Sequence, residues 1–245
     1  MIQLKCFVNK GFLSLVLEME DIFKLLDNCK NVDNFVKFFA FFKESAGKFN
    51  LTSLSDDKEI IVKHFLDSLY GRDFLSENAK VVEIGSGGGF PSVPLKIERP
   101  DLDFTLIEAT GKKCDYLNKV KELLSFDKFQ VVNGRCEELA QKENYRGVYD
   151  YAVARAVAPL NILAEYLIPF LKVGGMAICY KGSNYEEEIL KSQNALSKLN
   201  ATVEEVYKYS LCDNLGDHVL IILKKTDKTK DLYPRTQSKI KKAPL

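Results

Sequence analysis

A few short stretches of this chain carry residues whose types and spacing can do chemistry. In Glu83-Ile84-Gly85-Ser86-Gly87-Gly88-Gly89-Phe90, a carboxylate and alternating glycines follow the apolar pair Val81-Val82. Glycine accepts φ > 0 and lets backbone approach a ligand, and the unpaired N–H groups of a following helix face the same spot. Such a turn cradles a small polar ligand. Glu108 closes the apolar run Phe104-Thr105-Leu106-Ile107. It lies about twenty residues past the turn, where an acidic residue accepts hydrogen bonds from a ribose diol. Arg155 ends a further apolar run, Ala152-Val153-Ala154. A charge there needs a partner: a ligand carboxylate, a substrate or a neighbouring acid.

The glycine spacing separates two nucleoside ligands. A nicotinamide fingerprint wants Gly-x-Gly-x-x-Gly, and Phe90 stands at its third glycine. Glu83-x-Gly85-x-Gly87-x-Gly89 instead resembles the Glu/Asp-x-Gly-x-Gly-x-Gly turn of methyltransferases that use S-adenosylmethionine. Glu108 serves either ligand.

The elements that must position these residues are legible from periodicity. Strands are expected at 80–85, 103–108, 129–133, 149–155 and 175–180, with helices at 91–98, 111–124, 135–142 and 159–170 between them. Short apolar strands alternating with helices imply a parallel sheet with right-handed crossovers. After a helix at 184–199, strands at 202–211 and 217–224 are joined by a link too short for anything but antiparallel pairing. The expected fold is α/β, a doubly wound Rossmann-like sheet with an antiparallel C-terminal hairpin, the S-adenosylmethionine-dependent methyltransferase variation. Residues 20–76 read as helical. Phe35, Phe38, Phe39 and Phe42 recur at i, i+3, i+4 and i+7, a core-facing stripe, and a second helix from Ile60 to Tyr70 sets His64, Asp67 and Ser68 on one face. This divides the chain into a possible extension (1–18, with Met19 as an alternative start), a helical cap (19–76), a methyltransferase domain (77–226) and a basic tail (227–245).

A net charge of +1 over 245 residues gives no global steering field, so attraction to an anion falls to local patches. Lys112, Lys113, Lys119 and Lys121 form one patch, and the lysines and Arg235 after Lys224 form another; both suit a phosphate backbone. The 6 cysteines lack a Cys-x-x-Cys pair and there are only 2 histidines, which argues against a zinc site and suits reduced thiols in the cytoplasm. No metal is expected. The block Phe12 to Leu17 is followed by Glu18 and Glu20 rather than a cleavage site, and no run is long enough to span a bilayer. A cytoplasmic monomer without membrane contact is the expectation.

More specific blocks are Asn50-Leu51-Thr52, His64-Phe65-Leu66-Asp67-Ser68, Glu83 to Leu95, Glu108 with Lys112-Lys113, Arg135-Cys136-Glu137-Glu138, Asp150 with Arg155-Ala156, Lys181-Gly182, and the ending Tyr233-Pro234-Arg235 with Lys242-Ala243-Pro244-Leu245. Together, in this order, they resemble the bacterial 16S ribosomal RNA small-subunit methyltransferase G family, also called glucose-inhibited division protein B. Ser92 stands where that family usually has Gly, Glu83 where Asp is commoner, and Asp217 where a basic residue is frequent.

The resemblance implies methyl transfer from S-adenosylmethionine, with S-adenosylhomocysteine as product, to N7 of one guanine in 16S rRNA of the small ribosomal subunit. By position it assigns Gly85, Phe90, Cys136, Glu137 and Arg155 to the cofactor; the turn geometry adds Glu83, Gly87, Gly89 and Glu108. Asn50, His64 and Arg155 are the candidates beside the reacting atoms, and Lys112, Lys113, Arg135, Lys181 and Arg235 those for RNA. Guanine N7 is an unprotonated lone pair, so in-line attack needs positioning and no general base. A cytosine-C5 enzyme needs a nucleophilic Cys, commonly after Pro, and no cysteine here follows one. An amino-methylating enzyme often shows Asn/Asp-Pro-Pro-aromatic where this chain reads Arg155-Ala156-Val157-Ala158-Pro159. A nicotinamide oxidoreductase and a non-catalytic RNA-binding protein with a vestigial pocket are the competing readings.

Overall fold

The computed structural model describes residue 29 and residues 31–211 and 217–245. The possible extension, Cys6, Cys212 and the hairpin link lie outside the described residues.

Strands β1 (Lys80–Ile84), β2 (Asp103–Glu108), β3 (Phe129–Asn133), β4 (Tyr149–Arg155), β5 (Leu171–Lys181), β6 (Ala201–Ser210) and β7 (Asp217–Lys225) form one sheet of order β3-β2-β1-β4-β5-β7-β6. The first five run parallel, and β7 inserts antiparallel between β5 and β6. Because side chains alternate along a strand, each strand feeds two cores. Val81, Phe104, Leu106, Val153, Ile178, Leu220 and Ile222 face one core. Val82, Ile84, Ile107, Ala152, Ala154, Cys179 and Ile221 face the other.

The first core is aromatic. Helix α1 (Val32–Phe49) buries Phe35, Phe38, Phe39 and Phe42 completely, as its stripe predicts. They meet Phe65 and, at 5.3 Å from Phe38 and 5.1 Å from Phe42, the ring of Phe90. Phe90 thus ties the helical layer to the glycine turn. Asn50 ends α1 in the left-handed region at φ 50, its N–H bonded to Ala46 O. Asn tolerates that conformation better than most residues, which accounts for the break after Phe49. Helix α2 runs through Asp57–Ile60, a π-helical turn Ile61–Leu66, and Asp67–Leu69, and is N-capped by the Asp56 carboxylate on Glu59 N–H at 2.8 Å.

Helices α3 (Ser92–Glu98) and α4 (Gly111–Leu123) complete this face. Across the sheet lie α5 (Cys136–Leu139), α6 (Leu160–Leu167) and α7 (Tyr185–Leu199). Helix α5 is shorter than the expected 135–142. Helix α6 stops before a 3₁₀ turn, Ile168–Phe170, where Pro169 supplies no N–H to continue it. β5 starts earlier than expected, at Leu171, and crosses Gly174 at φ 84.

Residues 226–245 hold the stretch expected as a basic tail. They fold back over α5 and α6 and end in α8 (Gln237–Lys242), with Tyr233 and Ile240 buried. Arg146 donates to Tyr233 O, Thr229 O and Lys230 O at 2.7–3.0 Å, and Gln141 donates to Pro234 O at 2.9 Å.

Candidate active site

The carboxyl ends of β1, β2, β3 and β4 open into one cleft with two ends. At the first, the turn after β1 holds Gly85, Gly87 and Gly89 at φ 70, 51 and 88. A Cβ on Gly89 would lie 2.6 Å from Val93 Cγ2, and one on Gly85 3.0 Å from Val157 Cγ2. Both conformation and space therefore demand glycine there. Glu108 takes the Gly87 N–H at 3.0 Å on Oε2 and the Thr110 N–H at 2.8 Å on Oε1. A carboxylate has about four acceptor sites, so Glu108 keeps capacity toward the cavity beside it. That cavity, of about 130 Å³, is lined by Ile107, Glu108, Cys136, Glu137 and Val157 among others. Burial, followed by the Glu137 charge, pushes the Cys136 thiol well above its ordinary pKa, so it is a packing group and not a thiolate nucleophile.

Beneath the turn, Glu83 is 1% exposed, and neither carboxylate oxygen has a hydrogen-bond partner. The buried hydroxyls of Ser86 and Ser92 are likewise unpartnered. Burial pushes the Glu83 carboxyl up to about 8, with Ser92, Arg155 and Ser86 pulling the other way. A buried polar group without a partner is costly. Ser86 and Ser92 stand close enough to oppose that rise, so the carboxyl and the two hydroxyls form one buried polar group under the turn.

The second end is a cavity of about 610 Å³ beneath α2, lined by His64, Asp67, Phe90, Lys113, Arg155, Lys181 and His218 among others. Arg155 is its centre. One guanidinium nitrogen donates to Lys63 O at 2.8 Å, His64 O at 3.3 Å and Asp67 Oδ2 at 3.0 Å, and the guanidinium lies 5.2 Å over the Phe90 ring. The π-helical turn Ile61–Leu66 supplies those carbonyls, and His64 O also accepts from Ser68 Oγ. Asp67, 3% exposed at its side chain, also accepts from Tyr209 Oη at 2.7 Å and pairs with His218 Nδ1 at 3.1 Å. Burial alone would raise its carboxyl, but the His218 hydrogen bond, the Arg155 charge and the Tyr209 hydrogen bond hold it below the usual carboxylate range.

The other Arg155 nitrogen lies 3.2 Å from His64 Nδ1, and His64 Nε2 lies 2.9 Å from Thr52 Oγ1. Guanidinium only donates, so Nδ1 accepts and Nε2 carries the proton of a neutral imidazole. Burial and the Arg155 charge lower His64 to about 4. His64 is a neutral, fixed ring at pH 7.

The structure brings Gly85, Gly87, Phe90, Glu108, Cys136, Glu137, Arg155 and His64 to this cleft, with Lys113 and Lys181 at its second end. Gly89 and the buried Glu83 lie in the turn and in the strand leading to it, and line neither cavity. Other expected residues stand elsewhere. Asn50 caps α1 and does not line either cavity, whereas Leu51 does. Arg235 is no free RNA contact: its guanidinium clasps Glu165, itself 0% exposed, at 2.7–3.2 Å. Lys181 is committed to Glu188 and Ala158 O at 2.6 and 2.7 Å. Lys112 and Arg135 are exposed. Sequence reasoning missed Thr52 as a partner of His64, and Tyr209 and His218 as partners of Asp67. The scarcity of histidine was the available signal for His218.

The family model described as GidB, rRNA small subunit methyltransferase G, matches residues 31–214. The ribosomal RNA small subunit methyltransferase G of Caldanaerobacter subterraneus subsp. tengcongensis is 42% identical over 217 residues, 88% of this chain and 90% of that protein. Its counterpart in Alkaliphilus oremlandii is 35% identical over 245 residues, 99% of each chain. Among solved structures, a SAM dependent methyltransferase from Aquifex aeolicus superposes with a TM-score of 0.54 at 15% identity, covering 72% of this chain and 97% of that one, a likeness of fold. Matched from the helical layer through β6, and alike to these relatives over nearly their whole length, the chain belongs to the rRNA small subunit methyltransferase G family.

Proposed function

We propose that this rRNA methyltransferase moves the methyl group of S-adenosylmethionine to N7 of a guanine in 16S rRNA of the small ribosomal subunit. The observation that carries the reading is a single cleft with a backbone-built nucleoside end and an arginine-centred end poor in free acid–base groups. Glu108, with acceptor capacity to spare, would hold the ribose diol. Gly85, Ser86 and Gly87, which line the larger cavity beside Arg155, would border the methionine portion. Ile107, Cys136 and Glu137 would border the base. Bound there, the cofactor supplies a sulfonium-activated methyl group.

The chain's own residues then position the acceptor. Guanine N7 offers a lone pair, so no proton need leave before attack, and proximity with a tolerant electrostatic setting does the work. That suits His64, whose nitrogens are both engaged and whose ordinary pKa is lowered by burial. Arg155 and Phe90, packed guanidinium on ring, form a fixed surface within the second end. Lys112, Lys113 and Arg135 at the rim, and the outward Lys239, Lys241 and Lys242 of α8, supply phosphate contacts. In this reading residues 19–76 are a cap on a catalytic domain of 77–226, and the protein acts as a cytoplasmic monomer.

The test is methylation of small subunits purified from a strain lacking the gene, with the modified nucleotide mapped. One new 7-methylguanine in 16S rRNA is expected. No methyl uptake by naked rRNA, subunits or assembly intermediates would overturn the proposal.

A further inference from the structure

We propose that the C-terminal segment is a wall of the cofactor site and that Gln237 is the residue that reads the nucleobase. The inference rests on the S-adenosylmethionine reading above and deepens it. Gln237 is half-buried and lines the nucleoside cavity together with Ile107, Glu108, Cys136 and Glu137. A neighbouring groove of about 460 Å³ between α5 and residues 234–238 shares Arg135, Glu137 and Gln237 with that cavity, so the nucleoside end opens directly onto this segment.

The other cavity residues sort by chemistry. Glu108 matches a diol; Ile84, Ile107, Val157 and Tyr166 supply apolar surface for the faces of a ring. Glu137 is tied to the Cys136 thiol at 3.4 Å. Gln237 adds a side-chain amide, which presents an acceptor and donors side by side and makes no hydrogen bond within the described residues. Adenine offers the complementary pair along its edge, an exocyclic amino donor beside a ring-nitrogen acceptor.

The segment is held in place well enough to do this. The Arg235 backbone N–H and guanidinium both bind Glu165, which is fully buried, and Pro234 O takes the Gln141 amide at 2.9 Å. Ile240, at 0% exposure, anchors the far end of α8. Gln237 sits between those anchors, so its backbone is fixed before ligand arrives. Two buried attachments on either side of one unpaired amide, facing the cavity beside Glu108, make it a specificity residue.

The experiment measures affinity by calorimetry for S-adenosylhomocysteine and for its 6-deamino counterpart, in which the amino group is replaced by hydrogen. Wild type is compared with Gln237→Ala and Gln237→Glu, and the thermal midpoint of each free protein is recorded. We expect Gln237→Ala to weaken S-adenosylhomocysteine about five- to tenfold, the worth of a neutral hydrogen bond or two, and to narrow wild type's preference for adenine over the unsubstituted purine. Gln237→Glu, which sets a carboxylate against the ring-nitrogen lone pair and beside Glu108 and Glu137, should weaken it further. KM for the methyl donor should rise with kcat little changed and with an unaltered free-protein midpoint. Wild-type binding with an unchanged base preference in Gln237→Ala would overturn this inference alone, whereas no binding by wild type would overturn the cofactor reading beneath it.

Discussion

The two ends of the cleft are built from different material. The nucleoside end is mostly backbone: positive-φ glycines, two N–H groups pinned by Glu108, and a slot lined with small apolar surface. The arginine end is mostly side chain. Arg155, Asp67, Tyr209 and His218 come from three separate parts of the chain and meet around one buried ion pair. The first end is vulnerable to anything that adds a Cβ. The second is vulnerable to anything that removes one partner and leaves another charged, because a broken buried pair costs far more than an intact one contributes.

The sharpest break of this contrast is Asp67→Ala, which strands Arg155 (13% exposed at its side chain) without its carboxylate. Urea unfolding should show a loss of about 3–5 kcal/mol; a loss below ~1 kcal/mol would mean that the carbonyls of Lys63 and His64 suffice. The two ends also carry opposite pH slopes. Glu83 at about 8 stands above its ordinary 4.5, so the native state keeps a proton the unfolded chain gives up, and stability falls as pH rises from about 4.5 to about 8. His64 at about 4 stands below 6.5, so the unfolded chain takes the proton first, and stability falls as pH drops from about 6.5 to about 4. In the overlap the slopes oppose. Glu83→Gln should therefore lose the alkaline-side decline, by at most ~1.4 kcal/mol per pH unit, while the acid-side decline remains. Urea titrations of the free protein from pH 5 to 8 would check this, and parallel curves for wild type and variant would remove Glu83 from the account.

At the backbone-built end, Gly89→Ala should cost about 1–3 kcal/mol through positive φ and the Val93 clash together. Gly174, at φ 84 with nothing within 4 Å of an added Cβ, is the control that isolates the conformational part. If the two alanine variants unfold alike, the turn has room that its geometry denies. Glu108→Ala should weaken S-adenosylhomocysteine about tenfold or more in calorimetry, as loss of charge-assisted hydrogen bonds predicts. The smallest effect belongs outside the cleft. Replacing Lys239, Lys241 and Lys242 with alanine should flatten the salt dependence of RNA binding, by ~0.7–0.9 for each phosphate no longer neutralised, and leave cofactor affinity where it was. An unchanged slope would turn RNA binding away from α8.

These same two ends differ in how far the sequence reveals them. Glu83 to Phe90, Glu108 and the positions of the strands were legible because glycine spacing and apolar alternation are local signals that report backbone geometry directly. The phenylalanine stripe of α1 was legible for the same reason. Arg155 was marked as a charge in need of a partner, but that partner, Asp67, lies far away in sequence and is itself shared with Tyr209 and His218. No local period encodes such a meeting. At the C-terminus a count of charges marks only a basic tail: the lysines of α8 face outward, whereas Tyr233, Arg235 and Ile240 bind inward, and composition gives both sets equal weight.

The π-helical turn carries a consequence for how this protein yields to genetics. What grips the guanidinium there is partly peptide oxygen, at residues 63 and 64, and peptide oxygen survives replacement of every side chain around it. Alanine scanning across Lys63 would pass over half of the grip without registering it. Shortening the segment Ile61–Leu66 by one residue, so that an ordinary α-helical turn closes on its own carbonyls, is the kind of change that reaches it.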